Sequence, residues 1–350
     1  MILNMDYKPQ VLVRTDGLSR DEWLEYRRRG IGGSDAAAVL GISPFRTGRD
    51  LFYDKLKIVT ADDNENWVAK EAGRLLEPLV AQIFEYRTGL KVHRLPIMFQ
   101  HPLYPWMLAD LDFIVELPNR DTAILECKTC NYNAKDIWWS KGVEIVPEHY
   151  KSQGCHYLSV MNLPRVYFCC LYGNTADEAI IRHIDRDLSY EAELITMERN
   201  FWQNNVLAHV PPPYLEYNGD LVQESLKHAI DSADKSAPPV LLEQVQAAQA
   251  LAYLDLQQKK SALSAEVRKL ENEMKRLKGQ IVDKMGASCT AIFSGEDINY
   301  RVTYNPSYST DIPKENLERL KEQYPEVYDK FVVVSEHRRF YVKKDAKQAA

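Results

Sequence analysis

The chain has 350 residues, 44 Lys and Arg against 50 Asp and Glu, and a formal net charge of −6. At about 150 residues per domain, that length suggests two domains, or one large domain with an appendage, with enough core to do without disulfide or metal staples. Hydrophobic residues make up 45% and charged residues 27%, and no stretch reaches the roughly 20 apolar residues of a membrane span; collagen, a coiled-coil rod, a disordered tail and a membrane protein are excluded as whole-chain readings. The acidic balance argues against a basic nucleic-acid coat, but not against a nuclease, whose carboxylates are acidic by necessity. The start of the chain lacks the basic-then-apolar signal-peptide pattern. Six irregularly spaced cysteines, Cys127, Cys130, Cys155, Cys169, Cys170 and Cys289, point to reduced thiols in a cytoplasm.

In chain order, Ser19 and Glu22 form a capping box that opens a first helix, stopped at Gly30. Gly32-Gly33 make a tight turn, and Ser34-Asp35 cap a second helix that ends at Gly41. Residues 67–88 carry helical apolar spacing through Leu75, Leu76, Leu79, Val80, Ile83 and Phe84, closed by Gly89. Strand signals follow at KVHRLPIMFQ, MLADLDFIVEL and TAILECKT, the last two joined into a hairpin by the turn at 118–121. A helix around Tyr150 to Met161, a strand at RVYFCCLYG, a strand near AIIRHID and a helix from Ser189 to Leu207 complete a mixed central sheet flanked by helices. Three prolines, Pro211 to Pro213, end this unit, and 214–238 reads as a polar linker. One long helix then runs from Pro239 to Met285, with a heptad seam at Leu256, Leu263, Val267, Leu270, Met274, Leu277 and Ile281. A small α+β module, 287–345, trails it, and the final KQAA reads as loose.

The hairpin carries the chemistry. Strand alternation puts Glu126 and Lys128 on one face and Cys127 on the other. An apolar central strand has little reason to hold a carboxylate and an ammonium together. The hairpin brings Asp112 near Glu126, and two close carboxylates repel unless a cation neutralises them; such oxygen-rich sites suit Mg²⁺ or Mn²⁺. A surface ion pair on an edge strand is the bland alternative for Glu126 and Lys128. Glu77 lies one helical turn beyond Gly73, a residue that lets another backbone come close. Gly32-Gly33-Ser34 before a helix offers N–H groups and a hydroxyl to a phosphate, although Ser34 as a plain cap and Arg27 in a solvated basic run are the simpler local readings. The C-x-x-C of Cys127 and Cys130 has no second pair at zinc spacing. His149 and His156 read as cleft-lining, and Trp138 and Trp139 either pack or stack on bases.

Five stretches in order, EWLEYRRRGIGGSDAAAVLG, EAGRLLEPLVAQIFE, LADLDFIVE, ILECKT and YKSQGCHYLSV, resemble the lambda-exonuclease / YqaJ-like viral recombinase family of the PD-(D/E)xK nuclease superfamily, over about residues 19–210. The resemblance implies a restriction-endonuclease-like core in a domain spanning 1–213. It implies Glu77, Asp112 and Glu126 as metal-binding carboxylates, with the Cys127 carbonyl completing the shell. Lys128 would orient or help deprotonate the attacking water, Gln153 would position it, and Tyr157 would lie one turn on in the cleft. Arg27 and Ser34 would bind the 5′-phosphate of a DNA end. Leu111-Asp112-Phe113 stands where the family has Pro-Asp-Gly, which leaves Asp110 as a second choice of acid.

The activity so implied is Mg²⁺-dependent 5′→3′ exonucleolysis of double-stranded DNA in phage-type recombination, by a two-metal mechanism. A restriction-like endonuclease on the same core and a catalytically inactive end-binding scaffold are the alternatives. Implied partners are duplex ends, other copies of the chain in a ring trimer, and a single-strand annealing protein; the stretch 239–345 is expected to be an assembly or partner-docking arm rather than part of the active site.

Overall fold

A computed structural model describes residues 6–58, 67–118, 121–229, 236–294, 299–306 and 312–332. The chain divides into two units, Met1–Ala233 and Asp234–Ala350. The first is mixed α/β. Strand β1 (Gln10–Arg14) precedes helix α1 (Arg20–Arg28), where the Ser19–Glu22 capping box is present. Next come β2 (Ile31–Gly32), α2 (Gly33–Val39), α3 (Gly48–Lys55) and the 22-residue α4 (Trp67–Thr88). Strands β3 (Lys91–Arg94), β4 (Ile97–Gln100), β5 (Met107–Asp110), β6 (Phe113–Glu116) and β7 (Thr122–Thr129) follow. A 3₁₀ turn and the small hairpin β8 (Trp139–Ser140) and β9 (Val143–Glu144) lead to α5 (Glu148–Met161). Strands β10 (Arg165–Leu171) and β11 (Ala179–Asp185) and helix α6 (Leu188–Asn200), continued by a π-helical turn to Val206, precede α7 (Gly219–Ala229).

Besides the β8–β9 hairpin, two larger sheets are built from these described strands: a four-stranded one in the order β1-β4-β5-β2, and a five-stranded one in the order β11-β10-β7-β6-β3. In the larger sheet β7 runs parallel to β10 and antiparallel to β6. Each of two stretches expected as one strand is in fact two. KVHRLPIMFQ breaks at Leu95-Pro96, where proline has no N–H for a ladder, and MLADLDFIVEL breaks at Leu111-Asp112; at both breaks the chain changes sheets. Asp112 therefore sits at a junction rather than within a strand. The turn residues 119–120 lie outside the described residues.

The alternation along β7 decides which side chains face the site. Ala123, Leu125 and Cys127 pack against Val80, Ala81, Ile83 and Phe84 of α4, while Ile124 packs with Leu158 and Val160 of α5. Burying Ile124 and Leu125 completely contributes about 1.5–3 kcal/mol each. That anchorage fixes Glu126 and Lys128, two and four residues on from Ile124, toward α5. On α4 the buried stripe is narrower than the sequence suggests: Leu75 and Leu79 are 61% and 45% exposed.

The expected linker 214–238 includes α7, whose buried Ser225 donates to Asp50 and lies 3.0 Å from the Thr47 hydroxyl. The Glu216 carboxylate also accepts from the Gly48 N–H at 2.7 Å. This stretch thus packs on α3, in the first unit. In the second unit, α8 runs Gln244–Met285, starting later than expected and ending at Gly286 with φ +56°. None of its residues is buried, and the seven seam residues are 44–68% exposed. Strands β12 (Thr290–Ser294) and β13 (Asn299–Thr303) form a hairpin, followed by α9 (Lys314–Gln323) and α10 (Pro325–Phe331). The stretches 295–298, 307–311 and 333–350, including the closing KQAA, lie outside the described residues. Among the described residues no helix is long and apolar enough to cross a membrane.

Candidate active site

Glu126 is 4% exposed, and its Oε1 is the focus of a compact network. The Lys128 ammonium donates to it at 2.7 Å and to Gln153 Oε1 at 3.1 Å, and the Gln153 amide donates to the same Glu126 oxygen. Gln153 Nε2 also lies 3.4 Å from the Tyr157 hydroxyl. The other Glu126 oxygen, Oε2, is buried with no hydrogen-bond partner. Asp112 is held beside it, its Oδ2 accepting the Cys127 N–H at 2.8 Å. Burial, then Glu126 and then Glu77, outweigh Lys128 and push the Asp112 carboxyl well above its usual range. Half-buried Glu77 is raised as well, by burial and by Glu126. Burial opposes the Lys128 charge, yet Glu126 and Asp112 more than compensate and hold it as a firm ammonium.

The sequence-derived residues Glu77, Asp112, Glu126, Lys128 and Gln153 thus influence one another electrostatically or by direct hydrogen bonds. Asp110 goes elsewhere: its Oδ2 accepts the Trp23 indole N–H at 2.7 Å. The Cys127 thiol packs on the α4 side of the sheet, and burial lifts its pKa far above the thiol range. Only its main chain can serve the site. Tyr157, expected in the cleft, is 4% exposed and lies beneath it. His156 is also fully buried, bonded to Glu198 at 2.7 Å and to the Leu108 carbonyl at 2.9 Å. A Cβ at Gly73 would meet only Thr129 Oγ1 at 3.7 Å, an ordinary contact, so no close approach depends on that glycine. Trp138 is wholly buried and stacks on Tyr150; packing accounts for it.

A second cluster lies one contact away. Helix α2 opens at Gly32 rather than at Ser34, because the Asp35 carboxylate accepts the Gly32 N–H at 3.0 Å. Asp35 has no exposed surface, and three cations converge on it: Arg27 at 3.1 Å, Lys55 at 2.8 Å, and Arg46. Arg27 also donates to the Ser34 hydroxyl at 3.0 Å. Burial opposes the Asp35 charge, but Arg27, Lys55 and Arg46 hold it well below the carboxylate range. Burial brings Lys55 down to about 8 against the pull of Asp35. Three cations face Asp35, with Asp54 3.6 Å from Arg46 as a second acid, and this leaves a surplus of positive charge beside Ser34. A Cβ at Gly33 would fall 2.5 Å from the Tyr157 ring. Only glycine allows that approach, and it joins the cationic cluster through Tyr157 to Gln153.

A small divalent cation fits the carboxylate side of this arrangement. The donors are hard oxygens, one buried Glu126 oxygen is unpaired, and Glu126 raises the proton affinity of both Asp112 and Glu77. No three His, Cys, Asp or Glu side chains among the described residues already converge as a metal-holding set; Lys128 and Gln153 hold one Glu126 oxygen, and the Cys127 N–H holds one of Asp112.

Comparison with known proteins places the whole chain. Residues 22–164 match the model of the YqaJ-like viral recombinase domain. The uncharacterized protein YqaJ of Bacillus subtilis (strain 168) is 32% identical over 340 residues, covering 96% of this chain and 98% of that one. The chain belongs to the YqaJ-like viral recombinase family. Among solved structures, the alkaline exonuclease LHK-Exo of Laribacter hongkongensis is similar at 20% identity with a TM-score of 0.44, over 59% of this chain and 98% of that one. A phage-related exonuclease from Haemophilus somnus 129PT is similar at 11% identity and a TM-score of 0.38, over 51% of this chain and 96% of that one.

Asp35, Arg46 and Lys55 join the site without belonging to any of the five motif roles the sequence assigns. The signal for Lys55 is its place one turn after the buried Leu51, on the apolar face of α3. Asp35 carries a signal at the N3 position after a glycine. His149 and Tyr150 also gain a place: their rings are 4.1 Å apart, and Lys128 Nζ lies 4.9 Å from the Tyr150 centroid. Burial and then Lys128 bring His149 down to about 4, so it is a neutral ring at neutral pH.

Proposed function

We propose that this chain is a divalent-metal-dependent deoxyribonuclease that shortens duplex DNA from its 5′ ends, leaving 3′ overhangs for recombination. One observation carries the proposal: the Glu126–Lys128–Gln153 network, backed by Asp112, is joined through Tyr157 and Gly33 to the Arg27–Ser34 cluster. A hydrolytic centre and a phosphate-binding centre are thereby built from contiguous side chains. Asp112, Glu126 and Glu77 would hold Mg²⁺, with Mn²⁺ as a substitute and the Cys127 carbonyl as a further oxygen donor. When bound, the cation supplies an activated water and charge relief on the leaving oxygen.

The chain's own groups do the rest. Lys128, held as an ammonium, has no free base to offer; it orients an oxygen and stabilises negative charge that grows on the phosphate. Gln153 ties Lys128 to Glu126, accepting from the ammonium through Oε1 and donating its amide to the Glu126 oxygen that Lys128 also holds. Arg27 and the Ser34 hydroxyl take a terminal phosphate by charge-assisted hydrogen bonds, which sets where on the strand cleavage falls. End capture favours exonucleolysis over a restriction-like cut at internal sites, and the intact carboxylate–lysine set favours catalysis over a scaffold role. The test compares linear with covalently closed duplex in Mg²⁺ and in chelator. Nucleotides released from linear DNA alone, and only with the metal, support the proposal. Equal attack on closed circles overturns the exonuclease, and no hydrolysis of either overturns the enzyme.

A further inference from the structure

Phe45 is 73% exposed. Single exposed apolar residues are ordinary on a protein surface, but this one is held from both sides. The buried Ser43 hydroxyl accepts the N–H groups of Phe45 and Arg46 at 3.1 and 3.3 Å, fixing the loop between α2 and α3. The Arg46 guanidinium is in turn bound to buried Asp35 and lies 3.6 Å from Asp54. On the other side, the Phe45 ring meets His149 edge to face at 5.9 Å. His149 packs on Tyr150, and Tyr150 lies under the Lys128 ammonium.

Two paths therefore connect the cationic cluster to Lys128. The buried one passes through Gly33, Tyr157 and Gln153. The other reaches solvent at Phe45 and runs inward through half-buried His149 and Tyr150, and is made of rings. A nucleotide with its 5′-phosphate on Arg27 and Ser34 and its 3′-phosphate at Glu126 and Lys128 has to place its base somewhere between these paths. The buried path is closed to it, and the ring path offers an apolar ring to solvent at Phe45. Base–aromatic stacking needs only a fixed, accessible ring, and it tolerates any base because each has a π-face.

Resting on the nuclease reading above, we infer that Phe45 is the contact residue for the terminal base of the strand being cut, stacking on it without regard to sequence. Phe45 thereby helps to select a nucleotide, rather than a bare phosphate, at the duplex end.

The experiment is a binding cycle in chelator with the full chain. Two 5′-phosphorylated duplexes are used, one intact and one whose 5′-terminal nucleotide is abasic, each with a fluorophore at the far end. The wild type should bind the intact end about fivefold or more tighter than the abasic end. In Phe45→Ala that ratio should fall to near one, through weaker binding of the intact end alone. Phe45→Trp should restore it. Because the side chain is mostly exposed, the substitution leaves the core untouched. A ratio that is the same in Phe45→Ala and the wild type overturns the inference while leaving the nuclease reading standing, as does a wild type that binds both ends equally. A wild type that binds neither duplex overturns both.

Discussion

Lys128→Ala removes the ammonium that lies 2.7 Å from Glu126 and 3.1 Å from Gln153, with side-chain exposures of 17% for Lys128 and 5% for Glu126. Breaking a buried pair by deleting one partner costs about 3–5 kcal/mol, because the remaining charge is stranded. Loss of one preorganised donor to developing charge lowers turnover by about 100- to 1000-fold. The two effects separate by pH. Asp112 is raised above its unfolded value by burial, Glu126 and Glu77, and Lys128 is the cation that restrains it. Without Lys128 it rises further. A carboxyl raised in the folded state contributes stability below its unfolded pKa and loses it as pH rises through the folded pKa. The stability deficit of the variant should therefore be larger at pH 8 than at pH 5, read as urea midpoints in chelator. Turnover on linear duplex is measured alongside end binding, which should change little. Turnover within about threefold of wild type, or an identical deficit at both pH values, refutes the assigned role of Lys128.

Arg27→Ala should cut the preference for 5′-phosphorylated over 5′-hydroxyl ends by about tenfold or more; competition between the two ends checks it, and an unchanged preference removes Arg27 from end capture. Asp35→Ala strands Arg27, Arg46 and Lys55 around a fully buried position, and should lower stability by about 3–5 kcal/mol near neutral pH. Since the Asp35 carboxyl is held low in the fold, its contribution is present above the unfolded pKa and is lost only as pH falls through the folded one; a midpoint unchanged at pH 7 contradicts this. A truncation after Ser236 keeps α7 on α3 and should retain Mg²⁺-dependent digestion while changing the mass found by light scattering. A folded but inactive fragment would make the second unit part of the catalytic body.

Much of the site was legible because it is local. Strand alternation alone set Glu126 and Lys128 on one face and Cys127 on the other, and the apolar spacing of α4 and α5 matches helices found at Trp67–Thr88 and Glu148–Met161. The sheet changes at Leu95-Pro96 and Leu111-Asp112 were hidden by apolar runs that continue across both breaks. The Asp35 cluster was hidden because its cations come from α1, from the loop after α2 and from α3; their meeting depends on packing, not on any periodicity. The polarity of α7 suggests a linker, yet its hold on α3 is itself polar, through Ser225 and Asp50. His156 looked like a cleft residue, but its partner Glu198 is 42 residues away.

Strand polarity at a duplex end tests the central claim most directly. A linear duplex with distinguishable labels on the 5′ and 3′ termini of the same end is digested in Mg²⁺ and sampled over time. A 5′→3′ exonuclease releases the 5′ label first, as a mononucleotide, while the 3′-labelled strand persists as a lengthening overhang. Earlier release of the 3′ label, or internal fragments that retain both labels, would contradict it.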